Sequence, residues 1–171
     1  AELARRLAQL MAIGLVRATD EHAGSVAAVG APRDEDAAVV QRLGDRIADL
    51  GAQDLALLGM KAHQVPPIAE ELPALFNADT RVVTLQNGIP WWYFHKLPGP
   101  WQGMSLKAVD PQGLCERYIG VDRVIGSVVY PASEVIEPGV IQVIEGNRFT
   151  LGELDGSDNT SIRAVADAFK A

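Results

Sequence analysis

The chain has 171 residues, of which 48% are hydrophobic and 22% charged, proportions of a soluble globular protein rather than a disordered segment. Fifteen Lys and Arg against 22 Asp and Glu give a net charge of −7, which argues against nucleic acid and other broad polyanion partners but leaves room for a local basic pocket. No apolar run nears the roughly 20 residues of a membrane span, no signal-peptide pattern opens the chain, and the single Cys115 cannot form an intrachain disulfide, so a soluble, cytoplasmic protein is expected.

No internal repeat or low-complexity linker divides the chain, and its length suits one core: a domain of about 150 residues buries roughly 68–70% of its unfolded-chain surface. Residues 1–7 read as a helix, and residues 15–19 and 25–29 as two short strands that pair as a hairpin. Residues 34–50 carry Val39, Val40, Leu43, Ile47 and Leu50 at helical spacing, with Gly51 as the cap. Two short apolar runs follow, residues 55–60 and the more β-branched 81–86, both read as buried parallel strands. Between them, residues 65–76 place Ile68, Leu72, Leu75 and Phe76 at roughly helical spacing, making a strand–helix–strand unit.

Residues 95–122, with Pro98, Gly99, Pro100, Gly103, Pro111 and Gly113, are the least regular, and a stretch this long is usually a lid, a binding loop or disorder. Beside it, Trp91, Trp92, Tyr93, Phe94 and Trp101 form the most aromatic region. Core filling or contact with another domain is favoured for these rings, and closure over a ligand is the sharper alternative. A strand at 124–130 is followed by strands at 140–144 and 148–151, joined through Glu145-Gly146-Asn147 as a hairpin. The last segment, 158–170, sets Ile162, Val165, Ala166 and Phe169 on one helical face, with Asp158 or Asn159 as N-cap. The reading is an α/β fold with a mixed sheet.

The chemistry concentrates where the two parallel strands end, at Lys61-Ala62-His63-Gln64 and Gln86-Asn87-Gly88. Ligands of open α/β sheets bind outside the carboxyl ends of their strands. Lys61 can meet a phosphate or a ribose hydroxyl, and hydrogen bonds to charged groups contribute about 1.5–3 kcal/mol. Asn87 offers a donor and an acceptor, Gly88 lets a ligand approach the backbone, and Pro90 stiffens the exit. Elsewhere the signals are weak. His22, His63 and His95 are far apart, no Cys-x-x-Cys or Gly-x-Ser-x-Gly occurs, and 155–159 lacks the spacing and final glutamate of a calcium loop. No metal site is expected, and the surroundings of Cys115 give no sign of a reactive thiol.

With these residues in view, the chain resembles the ketopantoate reductase (2-dehydropantoate 2-reductase) family. The resemblance rests on Lys61-Ala62-His63-Gln64, on Gln86-Asn87-Gly88 with the Trp-Trp-Tyr-Phe run after it, on residues 123–132, and on Glu137-Pro138-Gly139-Val140 and residues 145–153. It covers about residues 53–170. It implies a Rossmann-like NADP-binding domain and hydride transfer from NADPH to a 2-oxo acid, most readily ketopantoate to pantoate in pantothenate (coenzyme A precursor) biosynthesis. By the same resemblance Lys61 and Gln64 lie against NADP(H), Asn87 meets both cofactor and substrate, and Ala132 lines the nicotinamide side through its backbone.

Two departures limit what these 171 residues would do alone. The family's Gly-x-Gly-x-x-Gly turn, which brings a pyrophosphate to a helix N-terminus, is not found; the glycines at 14, 24, 30, 44 and 51 are isolated. Arg5 and Arg6 read as a solvated helix face rather than as a substitute phosphate site. Nor does Lys96, Lys107 or Lys170 match the catalytic lysine of the family's helical second domain, so no proton donor is assigned. The expectation is one partial dinucleotide-binding domain, residues 1–171, of an incomplete Rossmann-like fold. The alternatives are a non-catalytic nucleotide- or partner-binding fragment and a related reductase acting on another 2-oxo acid. Self-association into a homodimer is compatible with apolar surface left uncovered.

Overall fold

The computed structural model describes residues 13–14, 26–30, 40–44, 46–137, 140–146 and 148–169. Its strands are β1 (Ile13–Gly14), β2 (Val26–Gly30), β3 (Val40–Gly44), β4 (Gln53–Leu58), β5 (Phe76–Thr84), β6 (Val124–Val129), β7 (Ala132–Glu137), β8 (Val140–Glu145) and β9 (Phe149–Glu153). Among the described residues two α-helices accompany them, α1 (Leu114–Tyr118) and α2 (Thr160–Ala168). Seven strands form one sheet in the order β3-β2-β1-β4-β5-β6-β9, and β7 and β8 pair in a separate two-stranded ribbon. β4, β5 and β6 run parallel while β9 is antiparallel to β6, so the sheet is mixed, as the sequence suggests.

Alternation along the parallel strands makes two layers. Ala56, Leu58, Val82 and Val124 face a core closed by Leu72, Leu75, Trp91, Cys115 and Ile119 from the two crossovers. Leu55, Val83 and Ile125 face the other way, against Ile162 and Val165 of α2. Asn159 is the N-cap, its side chain accepting from the Ile162 N–H at 3.0 Å. Leu72 is fully buried, and Leu72→Ala is expected to cost about 2–5 kcal/mol, read as a lower denaturant midpoint.

Several elements differ from the sequence reading. The β4–β5 crossover is three short 3-10 turns, Ala62–Gln64, Pro66–Ile68 and Leu72–Leu75, instead of a helix over 65–76. Pro66, Pro67 and Pro73 remove the N–H donors that a continuous helix needs, yet Ile68, Leu72 and Leu75 still face the core. β5 starts well before residue 81 because residues 77–80 bulge out between the pairs Gln53↔Phe76 and Leu55↔Arg81. The Thr80 hydroxyl holds the bulge, donating to the Gln53 carbonyl at 2.5 Å and accepting from the Asn77 N–H at 2.7 Å.

Within 34–50 the structure shows β3 and a 3-10 turn at Ile47–Leu50, not one helix. The expected cap holds: the Gly51 N–H donates to the Ala48 carbonyl at 3.3 Å, with φ at 65°. β2 occupies the second strand of the early hairpin, but it pairs antiparallel with Ile13–Gly14 on one side and with β3 on the other; residues 15–19, and the helix expected over 1–7, lie outside the described residues. At the far end β8 pairs with β7, which the sequence reading missed, and not with β9.

Residues 95–122 are tied down rather than loose. The Gly103 N–H donates to the Phe94 carbonyl at 2.7 Å, Lys96 pairs with Asp122 at 3.0 Å, and the Asp110 carboxylate accepts from the N–H groups of Leu114 and Glu116 at the start of α1. Burial, reinforced by the Asp110 charge, pushes the Cys115 thiol from its ordinary value of 9.0 up to about 12. The folded chain therefore keeps a proton that the unfolded chain loses, and stability is expected to fall as pH rises from about 9 towards 12. Chemical denaturation across that range should show the slope, and Cys115→Ala should remove it. Among the described residues no helix is long and apolar enough to cross a membrane.

Candidate functional site

The register sets Lys61, Asn87 and Val129 level with one another. Leu58 pairs with Thr84 and Thr84 with Gly126, and each of the three residues lies three positions further on, at the carboxyl ends of β4, β5 and β6. Two side chains tie these ends together. Gln86 Nε2 donates to the carbonyls of Met60 at 3.0 Å and Leu58 at 3.3 Å. Asn87 bonds Val129 in both directions, Nδ2 to the carbonyl and Oδ1 from the N–H, each at 3.0 Å. The Asn87 carboxamide thus continues the parallel ladder by one step where β5 has already ended.

Beside Asn87 a cavity of about 650 Å³ opens between the Gln86–Gly88 turn, the Trp92–Tyr93 pair and the ends of β6 and β9. Gly88 has φ at 98° and nothing within 4 Å of where a Cβ would stand, so the backbone is open to a ligand on that side. Trp92 lies against Gly126 so closely that a Cβ there would sit 2.8 Å from the indole. Two polar atoms of lining residues, Trp92 Nε1 and Ser127 Oγ, are buried without a hydrogen-bond partner. Unpaired buried donors of this kind are uncommon in folded proteins.

The four site residues expected from the sequence are placed unequally. Asn87 lines the cavity. Lys61 is exposed on the same edge, two strands from Val129, and no described carboxylate pairs with it. Gln64 turns back on its own chain, its Oε1 accepting from the Lys61 N–H at 3.0 Å. Ala132 opens β7, opposite Glu145 and three residues beyond Val129. Neither Lys61, Gln64 nor Ala132 is part of the cavity wall. The aromatics divide: Trp91 is buried in the core, while Tyr93 and Trp101 are exposed and joined edge-to-face through Phe94.

The roles of Gln86, Trp92 and Ser127 escape sequence reasoning. A glutamine directly after an apolar strand run is the one legible hint, since a side chain there can reach the neighbouring strand's last carbonyls. His95 sits edge-on to Trp91, with Nε2 3.7 Å from Glu116 and no hydrogen bond. No group of side chains able to hold a metal ion occurs among the described residues.

A larger hollow, about 860 Å³, lies at the opposite edge of the sheet. Its two arginines are engaged by neighbouring groups: Arg81 pairs with Glu153 at 2.5 Å, and Arg123 donates to the carbonyls of Asn77 and Thr80. Parallel sheets bind ligands at the carboxyl edge, which favours the smaller cavity.

No protein-family model matches the chain. A 2-dehydropantoate 2-reductase of Mesorhizobium japonicum is 48% identical over 126 residues, covering 74% of this chain and 39% of that protein. In three dimensions the chain superposes on a candidate ketopantoate reductase of Ralstonia solanacearum with a TM-score of 0.70 and 35% identity, over 80% of this chain and 43% of the other. A 2-dehydropantoate 2-reductase of Geobacter metallireducens, 24% identical, shares the fold at a TM-score of 0.53, over 77% of this chain and 39% of its own. On these grounds the chain, which spans about two-fifths of the length of the relatives it matches, belongs to the ketopantoate reductase family.

Proposed function

We propose that the polypeptide carrying this chain is an NADPH-dependent reductase of a 2-oxo acid, with ketopantoate the substrate expected from its relatives, and that residues 1–171 are part of its dinucleotide-binding domain. The observation that carries this reading is the Asn87 carboxamide, fixed at the carboxyl edge of the sheet beside a cavity of about 650 Å³ and the open backbone of Gly88. The open side of Gly88 and the second Nδ2 hydrogen of Asn87 suit a flat, polar ring system such as a nicotinamide with its carboxamide. When bound, the reduced nicotinamide supplies the hydride.

The chain's own residues bind and orient. Asn87 spends one Nδ2 hydrogen on Val129 and keeps a second, which can reach a keto oxygen or the cofactor. Lys61 supplies a cation for a phosphate or ribose hydroxyl on the β4 side. Gln64 keeps its Nε2 for the cofactor while its Oε1 holds the turn, and Ala132 offers backbone on the nicotinamide side. The proton that follows the hydride is assigned to no residue of this chain.

The test is an assay of the full-length polypeptide, following loss of NADPH absorbance with ketopantoate and with other 2-oxo acids. Turnover dependent on both reactants supports the reading. NADPH binding with no turnover on any 2-oxo acid would replace it with a nucleotide-binding module.

A further inference from the structure

Beyond Asn87, one residue of the cavity wall, Tyr130, holds a cation that the roles proposed so far leave unused. Tyr130, which lines the cavity, follows β6, and its N–H donates to the Arg148 carbonyl at 3.2 Å, extending the β6–β9 ladder. The Arg148 guanidinium lies over the Tyr130 ring, 4.4 Å from its centroid. Both residues are exposed, and no described carboxylate forms an ion pair with Arg148, although the chain carries seven more negative than positive groups. The turn before it is closely fitted: Gly146 has φ at 77°, and a Cβ there would meet the Tyr130 carbonyl at 3.0 Å.

We propose that Arg148, lying over the ring of Tyr130 in the Asn87 cavity wall, is the receptor for an oxyanion, a carboxylate or phosphate, of the ligand seated there. A guanidinium held over an aromatic ring keeps N–H donors for a bidentate contact with an oxyanion. The strand order β4-β5-β6-β9 puts Lys61 at one end of this edge and Arg148 at the other. Three interstrand steps separate them, about 14–15 Å at the usual strand spacing. An elongated ligand with negative groups at both ends matches that span, and so does a cofactor at one end with a small acid at the other.

The inference rests on the reductase reading for the identity of the ligand, so the experiment separates the two. In the full-length polypeptide, wild type, Arg148→Met and Arg148→Lys are compared in two ways. One is the direct binding of NADPH and of oxamate, a non-reducible isostere of a small 2-oxo acid. The other is KM and kcat with ketopantoate. Arg148→Met is expected to weaken one of the two probes about tenfold or more, with kcat changed less than KM, an unchanged thermal midpoint, and partial rescue by lysine. Loss confined to oxamate and ketopantoate identifies a carboxylate as the bound group; loss confined to NADPH identifies a cofactor phosphate. Turnover with neither probe affected by Arg148→Met overturns the inference and leaves the reductase reading intact. Arg148-dependent binding without any turnover does the reverse. A wild type that binds neither probe removes both.

Discussion

Asn87→Ala in the full-length polypeptide is expected to lower kcat/KM roughly 10- to 150-fold, the equivalent of losing one hydrogen bond to a charged or charge-developing group. Stability should fall as well, because the same side chain makes two bonds to Val129. At about 0.5–1.5 kcal/mol for each bond, the loss is about 1–3 kcal/mol, and nearer the lower figure because the contact is exposed to water. Asn87→Asp separates the two effects. It keeps an acceptor for the Val129 N–H but sets a carboxylate against the Val129 carbonyl and removes the remaining N–H donor. If folded Asn87→Ala retains full kcat/KM and only its thermal midpoint drops, Asn87 is a clamp between strands with no part in ligand binding.

Gly126→Val is expected to be the most damaging single change at the cavity wall. The backbone at Gly126 does not need glycine's conformational freedom; the space does. A Cβ would stand 2.8 Å from one atom of the Trp92 ring and 3.3 Å from another, and a rigid indole cannot yield as the tip of a flexible side chain would. Overpacking of this kind costs about 1–3 kcal/mol, and relief requires Trp92 to swing away from β6, reshaping the cavity. Cofactor affinity should therefore fall together with the thermal midpoint. Combining Gly126→Val with Trp92→Leu should recover most of the lost stability, because the two positions are in contact and their effects are not additive. No recovery in the double variant would mean that the strain lies elsewhere in β6.

The strands at the site were legible because runs such as Leu55-Ala56-Leu57-Leu58 and Arg81-Val82-Val83-Thr84 are too apolar for the surface and too short for a buried helix, and Asn87-Gly88 marks where the second must stop. The helix expected over 65–76 failed for a local reason: apolar spacing alone suits three successive 3-10 turns as well as one helix, and Pro73 decides between them. Likewise Val39, Val40, Leu43, Ile47 and Leu50 satisfy helical spacing, but residues 40–44 gain a ladder with β2 that no local pattern announces. β7 is hidden because Ala-Ser-Glu-Val-Ile-Glu mixes charges into a β-branched stretch, which leaves β9 as the apparent partner of β8. Around the cavity, residue types pointed to Lys61 and Asn87, while the unpartnered Trp92 and Ser127 and the Tyr130–Arg148 stack depend on pairings between distant strands, which composition does not encode.

The double bond between Asn87 and Val129 also bears on how relatives are to be interpreted. A side chain that both donates to and accepts from a neighbouring main chain acts as a surrogate peptide unit, and few side chains can do so: an amide of the right length is required. Architecture alone would then preserve asparagine at this position, whatever is bound beside it. A descendant that had lost its chemistry but kept its sheet could still carry the residue, so the asparagine marks an active enzyme only together with the open cavity beside it.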